Sequence, residues 1–191
     1  TTKTWVKDGF SLPEAKSDVS WKDENTLWVG TDFGDGSLTK SGYPRFAKMW
    51  KRGTALETAT TVFEGSVEHV ASTAYSIHTP EGRYDMVNDT PEFFRGTNYI
   101  LREEKLVKLE IPEDADLQGI FKKQLMLSLR TDWTVGGKTY PQDGLIAIDL
   151  ETFMGGGRDF SLLFKPGERV ALGSVSSTKN FLLVTTLDNV K

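Results

Sequence analysis

"TDFGDGSLTKSGYPR", residues 31–45, is a polar, glycine-rich run between two apolar stretches, "TLWVG" at 26–30 and "FAKMW" at 46–50. A shortened copy, "TDWTVGGKTYP", occupies residues 131–141. Both begin Thr-Asp-aromatic, pass through glycines and a Lys, and close on Tyr-Pro. Val29 and Leu129 each stand two residues before the Thr that opens the run, as Val184 does in "VTT". The first pair is 100 residues apart and the second 55. A unit of about 50 residues follows, and the doubled interval predicts a degenerate copy near "YSIHTPEGRYDMVND". Upstream of each clear copy lies a small-residue strand ("SDVSWKDENT", "DLQGIFKKQ", "ALGSVSSTKN"), and two more strands lie downstream of the first two. Four antiparallel strands, repeated at this interval, are the pattern of β-propeller blades. The alternative is a β-sandwich whose turns fall at similar intervals by coincidence.

The expected fold is therefore all-β, a partial β-propeller of about three four-stranded antiparallel blades plus the start of a fourth. The blades are placed at 15–65, 66–115, 116–170 and 171–191, the last incomplete. The conspicuous run at 31–45 is then the loop between the second and third strands of a blade, and 131–141 is the same loop two blades on.

Period-two alternation supports the strands. "LMLSLR" sets Leu125, Leu127 and Leu129 against Met126, Ser128 and Arg130. "KLVKLEI" sets Val107, Leu109 and Ile111 against Lys108 and Glu110. "LIAIDL" and "FSLLF" add Ile146, Ile148, Leu150 and Phe160, Leu162, Phe164. Turns are marked by "KDEN", "PEGR", "GGG", "KPGE" and "LDN". "PEDADLQGIFKKQL" carries Leu117, Ile120 and Phe121 at helical spacing, but Gly119 interrupts them, so it reads as a loop leading into a strand. Trp5, Trp21, Trp28 and Trp50 are assigned to the packing between blades.

Composition narrows the function. The 191 residues carry a net charge of −4, which argues against a nucleic-acid surface, and no run of five Lys and Arg marks a membrane-binding patch. The longest apolar runs, "LIAI" and "FLLV", are far too short to span a bilayer. With no cysteine there are no disulfides, thiolate metal sites or Cys nucleophiles. The chain opens "TTKTWVKDGF", without Met or a hydrophobic leader, which predicts a processed or excised piece. A cytoplasmic location is expected, with the periplasm as the alternative.

The ordered series "LPEAKS", "W-x-D-x-N-T-L", "TDFG-x-GSLT-x-SGYPR" and "WKRGT" resembles the propeller segment of bacterial serine peptidases of the prolyl oligopeptidase family. "FFRGTNYIL", "KLVKLEIPEDA" and "LMLSLRTDW…YPQDGLIAIDL" continue the likeness over most of the chain; it is weakest at "FMGGGRDFSLLFKPGERV". The resemblance implies a seven-bladed propeller beside an α/β-hydrolase domain that holds a Ser, Asp and His triad. The propeller would admit peptides and exclude folded proteins. Here only three blades and part of a fourth are expected, with the remaining blades and the hydrolase domain absent.

No G-x-S-x-G nucleophile elbow occurs, and His69 and His78 are the only imidazoles. Neither stands beside a glycine-flanked Ser or in metal-ligand spacing, so both read as ordinary strand or turn residues and no catalytic residue is assigned. "VGGKT" at 135–139 lacks the earlier glycine of a phosphate loop, Asp132 standing in its place. "PEDAD" and "KDEN" lack the alternating ligand order of a calcium loop, and the sequon "NDT" at 88–90 is followed by Pro91. No metal or cofactor is expected. Tyr43, Arg45, Trp133 and Tyr140, in the two loop copies, are the candidates for a substrate- or partner-facing surface, since Arg and exposed aromatics suit peptide carboxylates and apolar side chains. The competing reading is that the aromatics cover the base of their own loop and Arg45 pairs with a nearby acid.

The expected function is that of a substrate-gating propeller fragment, itself catalytically silent, of a peptidase that cleaves short peptides. Its partners would be the peptide and the hydrolase domain of the same parent chain, with no nucleic acid and no membrane. A free-standing propeller-like module that binds peptides or proteins is the second reading. Exposed faces at the cut would favour a homodimer of the fragment.

Overall fold

The computed structural model describes residues 3–4, 6–7 and 9–189; Trp5 lies outside them. The chain divides into two compact units, Thr1–Ser76 with Tyr84–Leu109, and Ile77–Arg83 with Glu110–Lys191.

The first unit contains a four-stranded sheet of β1 (Asp18–Asp23), β2 (Thr26–Gly30), β3 (Phe46–Lys51) and β4 (Thr60–Glu64), in that order, with a short 3-10 turn at Leu56–Thr58. Its second sheet is β5 (Ala71–Thr79), β6 (Gly82–Glu92), β7 (Arg95–Arg102) and β8 (Lys105–Lys108), again in sequence order. The tip of the β5–β6 hairpin, residues 77–83, groups with the other unit. β2 is buried along its whole length because both of its faces are covered. Leu27 and Val29 pack with Trp50 and Ala59, under Phe10 and Leu56. Trp28, on the opposite face and 1% exposed, packs with Ala47 and, from the second sheet, Ala74 and Val87.

A polar chain runs beside Trp28. Its indole Nε1 donates to Ser76 Oγ at 2.8 Å, and Ser76 Oγ donates to Asp85 Oδ1 at 2.6 Å. Lys22 Nζ pairs with the other Asp85 oxygen and lies 4.4 Å from the centre of the Trp28 ring. The pair joins β1 of the first sheet to β6 of the second, with both side chains almost wholly covered. Buried indole nitrogens and buried charges need partners, and this arrangement supplies them between the two sheets.

The second unit is built on β9 (Asp116–Phe121), β10 (Gln124–Ser128), a hairpin of β11 (Trp133–Val135) and β12 (Lys138–Tyr140), β13 (Leu145–Asp149), helix α1 (Leu150–Met154) and β14 (Ser161–Phe164). The four longer strands form one sheet in the order β14-β13-β10-β9, and β11–β12 stands apart as its own ribbon. A two-stranded sheet of β15 (Val170–Ser177) and β16 (Leu182–Asp188) completes the described residues. The fold is all-β and propeller-like, as expected, with antiparallel pairing throughout the registers of these sheets.

Several local readings need correction. Met126 and Ser128 are buried along with Leu125 and Leu127, and β13 is buried from Leu145 to Ile148. These central strands are covered on both faces, so simple alternation does not describe them. Leu150 is not on a strand; it opens α1, which Asp149 caps by accepting from Thr152 N at 2.9 Å. In "KLVKLEI", Leu106 packs against the Trp28 cluster, whereas Val107 is exposed at the sheet edge. Leu109 and Ile111 are buried beyond the end of β8. Leu162 is exposed on the edge strand β14, and Phe160 is buried just before it. Trp28 and Trp50 are core residues, but Trp21 is 53% exposed, lying edge-on to Phe10 at 5.8 Å.

Candidate functional site

The run 31–45 joins β2 to β3, and the structure gives it internal work. Asp32 Oδ1 accepts from Gly34 N at 2.8 Å and from Ser37 Oγ at 3.0 Å, while Ser37 Oγ accepts from Phe33 N. These side-chain turns fold the first half of the loop on itself. The second half is tied to the start of β5 and the connection before it. Lys40 N donates to Val67 O, Thr39 Oγ1 to Val70 O and Ser72 N to Pro44 O, all at 2.9–3.0 Å. The fifteen residues form a strap that holds the first sheet of the unit to the second.

Arg45 is part of that strap. Its guanidinium donates to Gly36 O at 2.6 Å, Gly65 O at 2.7 Å and Glu64 Oε1 at 2.8 Å. Three directed bonds hold the fork in place, and the pairing with a nearby acid is present. Tyr43 is 43% exposed, with the Lys16 ammonium 4.3 Å from its ring centre.

Trp133 and Tyr140 belong to the second unit and stand directly opposite each other in the β11–β12 ribbon. Tyr140 is 4% exposed. Its hydroxyl donates to Phe160 O at 3.0 Å and accepts from Phe160 N at 2.9 Å. Trp133 is half-buried against Phe160, ring centres 5.1 Å apart. These two aromatics cover the base of their own loop. The "VGGKT" glycines are a hairpin turn: Gly136 and Gly137 have φ of +59° and +76°, and a Cβ on Gly136 would lie 2.8 Å from Arg158 O. Two successive left-handed residues are what a two-residue hairpin requires.

Sequence reasoning missed a Ser, His and Asp cluster under the strap. His69 Nδ1 lies 3.0 and 2.9 Å from the two Asp89 carboxylate oxygens, and Ser72 Oγ donates to Asp89 Oδ1 at 2.8 Å. Acyl transfer needs the imidazole between hydroxyl and carboxylate, so that it can take the hydroxyl proton. Here the carboxylate is in the middle, and Ser72 is fully buried. The wiring fixes a turn and does not activate a nucleophile. A signal for it existed in "FEGS": a Cβ on Gly65 would meet Ser72 Oγ at 2.0 Å, so the glycine makes room for the cluster. His78 is exposed near the tip of the β5–β6 hairpin.

Elsewhere in the first unit, burial pushes the Tyr75 phenol up to about 12 and raises the Asp18 carboxyl. In the second unit, hydrogen bonds from Thr152 hold the Asp149 carboxyl below the ordinary range. Among the described residues, no three His, Cys, Asp or Glu side chains come together in a way that would hold a metal ion.

No protein-family model matches the chain. An uncharacterized peptidase of Sinorhizobium fredii is 32% identical over 199 residues, spanning 97% of this chain and 27% of the relative. An uncharacterized peptidase of Rickettsia prowazekii is 28% identical over 205 residues, spanning 98% and 28%. The structure of a post-proline cleaving enzyme from Rickettsia typhi superposes with a TM-score of 0.88 at 27% identity, over 96% of this chain and 29% of that one. The chain thus spans little more than a quarter of the length of the relatives it matches. With its four-stranded sheets, this end-to-end likeness supports reading the chain as a propeller fragment of a prolyl oligopeptidase-family peptidase.

Proposed function

We propose that the chain forms part of the propeller that restricts access to a peptide-cleaving Ser, Asp and His site carried elsewhere in a longer parent polypeptide. It performs no chemistry itself. Its sheets are the blades placed at 15–65, 66–115, 116–170 and 171–191, and the parent acts on short peptides in the cytoplasm. Cleavage after proline is the preference carried over from the Rickettsia typhi relative.

The observation that carries this reading is the combination of the end-to-end match to peptidases with a Ser, His and Asp cluster wired against nucleophile activation. Exposed Tyr43 is the side chain of the loop copies best placed to meet a peptide or the catalytic domain, since Arg45 and Tyr140 are committed to internal bonds.

The test is hydrolysis of a short proline-containing fluorogenic peptide by the natural full-length protein and by the 191-residue chain, side by side. Turnover by the longer protein alone is the expected result. If neither is active, the chain is better read as a free-standing binding module. Activity in the short chain would overturn the reading outright, and His69 and His78 would be the first residues to replace.

A further inference from the structure

The second unit contains a cavity of about 310 Å³ on which three turns converge. Residues 77–81 lead into the β5–β6 turn, 118–122 lead into the β9–β10 turn, and 175–179 lead into the β15–β16 turn. Its lining is apolar where Ile120, Phe121, Met126 and Leu182 meet, of which Ile120 and Met126 are buried. Charge is added by Lys122 and Lys179, against Glu81, and His78 also lines the cavity. In a chain of net charge −4, a mainly basic rim is a local arrangement and does not follow from composition.

Lys122 sits in the β9–β10 turn itself. It and Lys123 have φ of +47° and +65°, the left-handed pair of a two-residue hairpin turn. That geometry favours Asn and Gly, and a long side chain there is held at a cost in backbone strain. Both lysines are exposed. The Lys122 ammonium lies 5.5 Å from the ring centre of Phe121, a member of the cavity lining.

We propose that this cavity binds the carboxylate-bearing part of a short peptide, with Lys122 and Lys179 taking the carboxylate and the apolar lining taking a neighbouring side chain. That the ligand is a peptide rests on the function proposed above. The volume, near the lower end of about 300–1,000 Å³ for small-ligand sites, admits one or two residues and excludes a folded protein. The pairing of an apolar lining with a cationic rim selects peptides that present an aliphatic side chain beside a negative group.

Isothermal titration of the chain with three tripeptides tests this: Ala-Ala-Leu as the free acid, Ala-Ala-Leu amide, and Ala-Glu-Leu amide. The free acid is expected to bind about fivefold or more tightly than the plain amide, the scale of one or two exposed ion pairs. The Glu amide decides whether a side-chain carboxylate serves as well as a terminal one. Added salt should compress the difference. Lys122→Asn with Lys179→Ser should abolish it while the circular dichroism spectrum stays unchanged, because Asn suits the left-handed turn. Equal binding of acid and amide, no binding of either, or a preference that survives the double substitution would each overturn the proposal. In the full-length protein, hydrolysis of an amide-capped substrate reports on the proposed function independently. If it proceeds and no carboxylate preference is found, this inference alone has failed.

Discussion

Replacing Gly65 with Ala sets a steric demand against a buried hydrogen bond, and the outcome can be worked from distances. The new Cβ would lie 2.0 Å from Ser72 Oγ, 2.9 Å from Asp89 Oδ1 and 3.3 Å from Ser72 Cβ. Ser72 Oγ is the only one of the three that can swing far, and swinging breaks its 2.8 Å bond to Asp89. Ser72 is fully buried, so a hydroxyl turned away from that partner costs about 1–3 kcal/mol. The Asp89 carboxylate is held by His69 and yields little. Against this, Ala stiffens the unfolded chain by about 0.4–1 kcal/mol. The remaining 2.9 Å contact with Asp89 offsets that gain, so Gly65→Ala should cost roughly 1–3 kcal/mol net. Ser72→Ala removes the hydroxyl, leaves His69 on the carboxylate, and should cost about 1 kcal/mol. In the double variant the worst contact is gone, so the penalty of Gly65→Ala should fall to about 1 kcal/mol or less. The two substitutions should couple, with the double variant about 1–2 kcal/mol more stable than additivity allows. Urea unfolding followed by fluorescence of the buried Trp28 and Trp50 reads this directly. A penalty of about 2 kcal/mol moves the midpoint by roughly 0.7–1 M for a slope of about 2–3 kcal/mol/M. Additivity within about 0.5 kcal/mol would refute the claim that Gly65 exists to make room for the Ser72–Asp89 bond.

Lys22→Met should destabilise the first unit by about 3–5 kcal/mol, because it removes the cation from a carboxylate whose side chain is only 10% exposed. Lys22→Met with Asp85→Asn should recover much of that loss in thermal melts, since an amide oxygen can still accept from Ser76. Burial raises the folded pKa of Asp18 above 3.8, so its contribution is favourable below that value and is lost as pH rises through the folded pKa. Asp18→Asn should accordingly stabilise the chain near neutrality, with the gain fading toward acid in urea titrations at a series of pH values. Tyr140→Phe orphans both Phe160 backbone groups and should cost about 2–4 kcal/mol, with faster hydrogen exchange at the Phe160 amide as the local signature. Phe181, in the turn before β16, and Leu183 and Leu187 on β16 are exposed and should drive self-association into a dimer, visible by light scattering; a monomer at every concentration would refute this.

The fold was legible where the repeat carried chemistry and obscure where it carried only shape. Thr31 and Thr131 follow the second strands of their sheets, by one and three residues, and the run between Thr31 and Arg45 does link β2 to β3. Turns rich in Gly, Asp and Asn announced themselves. The turns at Glu103–Glu104 and Lys122–Lys123 did not, because they place charged residues where left-handed φ is needed and so contradict the usual turn chemistry. The five residues of α1 were hidden because helix Leu150–Met154 follows directly on the apolar run of β13. Its cap, Asp149, reads equally well as the polar end of a strand.

The candidate site was harder, for a reason the strap makes plain. Arg, Tyr and Trp are the side chains that recognise partners, but they are also the ones that span longest distances within a fold. Arg45 reaches Gly36, Gly65 and Glu64 at once, and Tyr140 satisfies both backbone groups of a buried residue. A loop that must hold two sheets together therefore carries the same residue types as a loop that must hold a ligand. Tyr43 differs from them in exposure alone, which no spacing rule encodes. The cationic cavity escaped notice for the complementary reason. Lys122 and Lys179 are 57 positions apart, each ordinary in its own turn, and they become one chemical feature only where separate hairpins of the second unit meet.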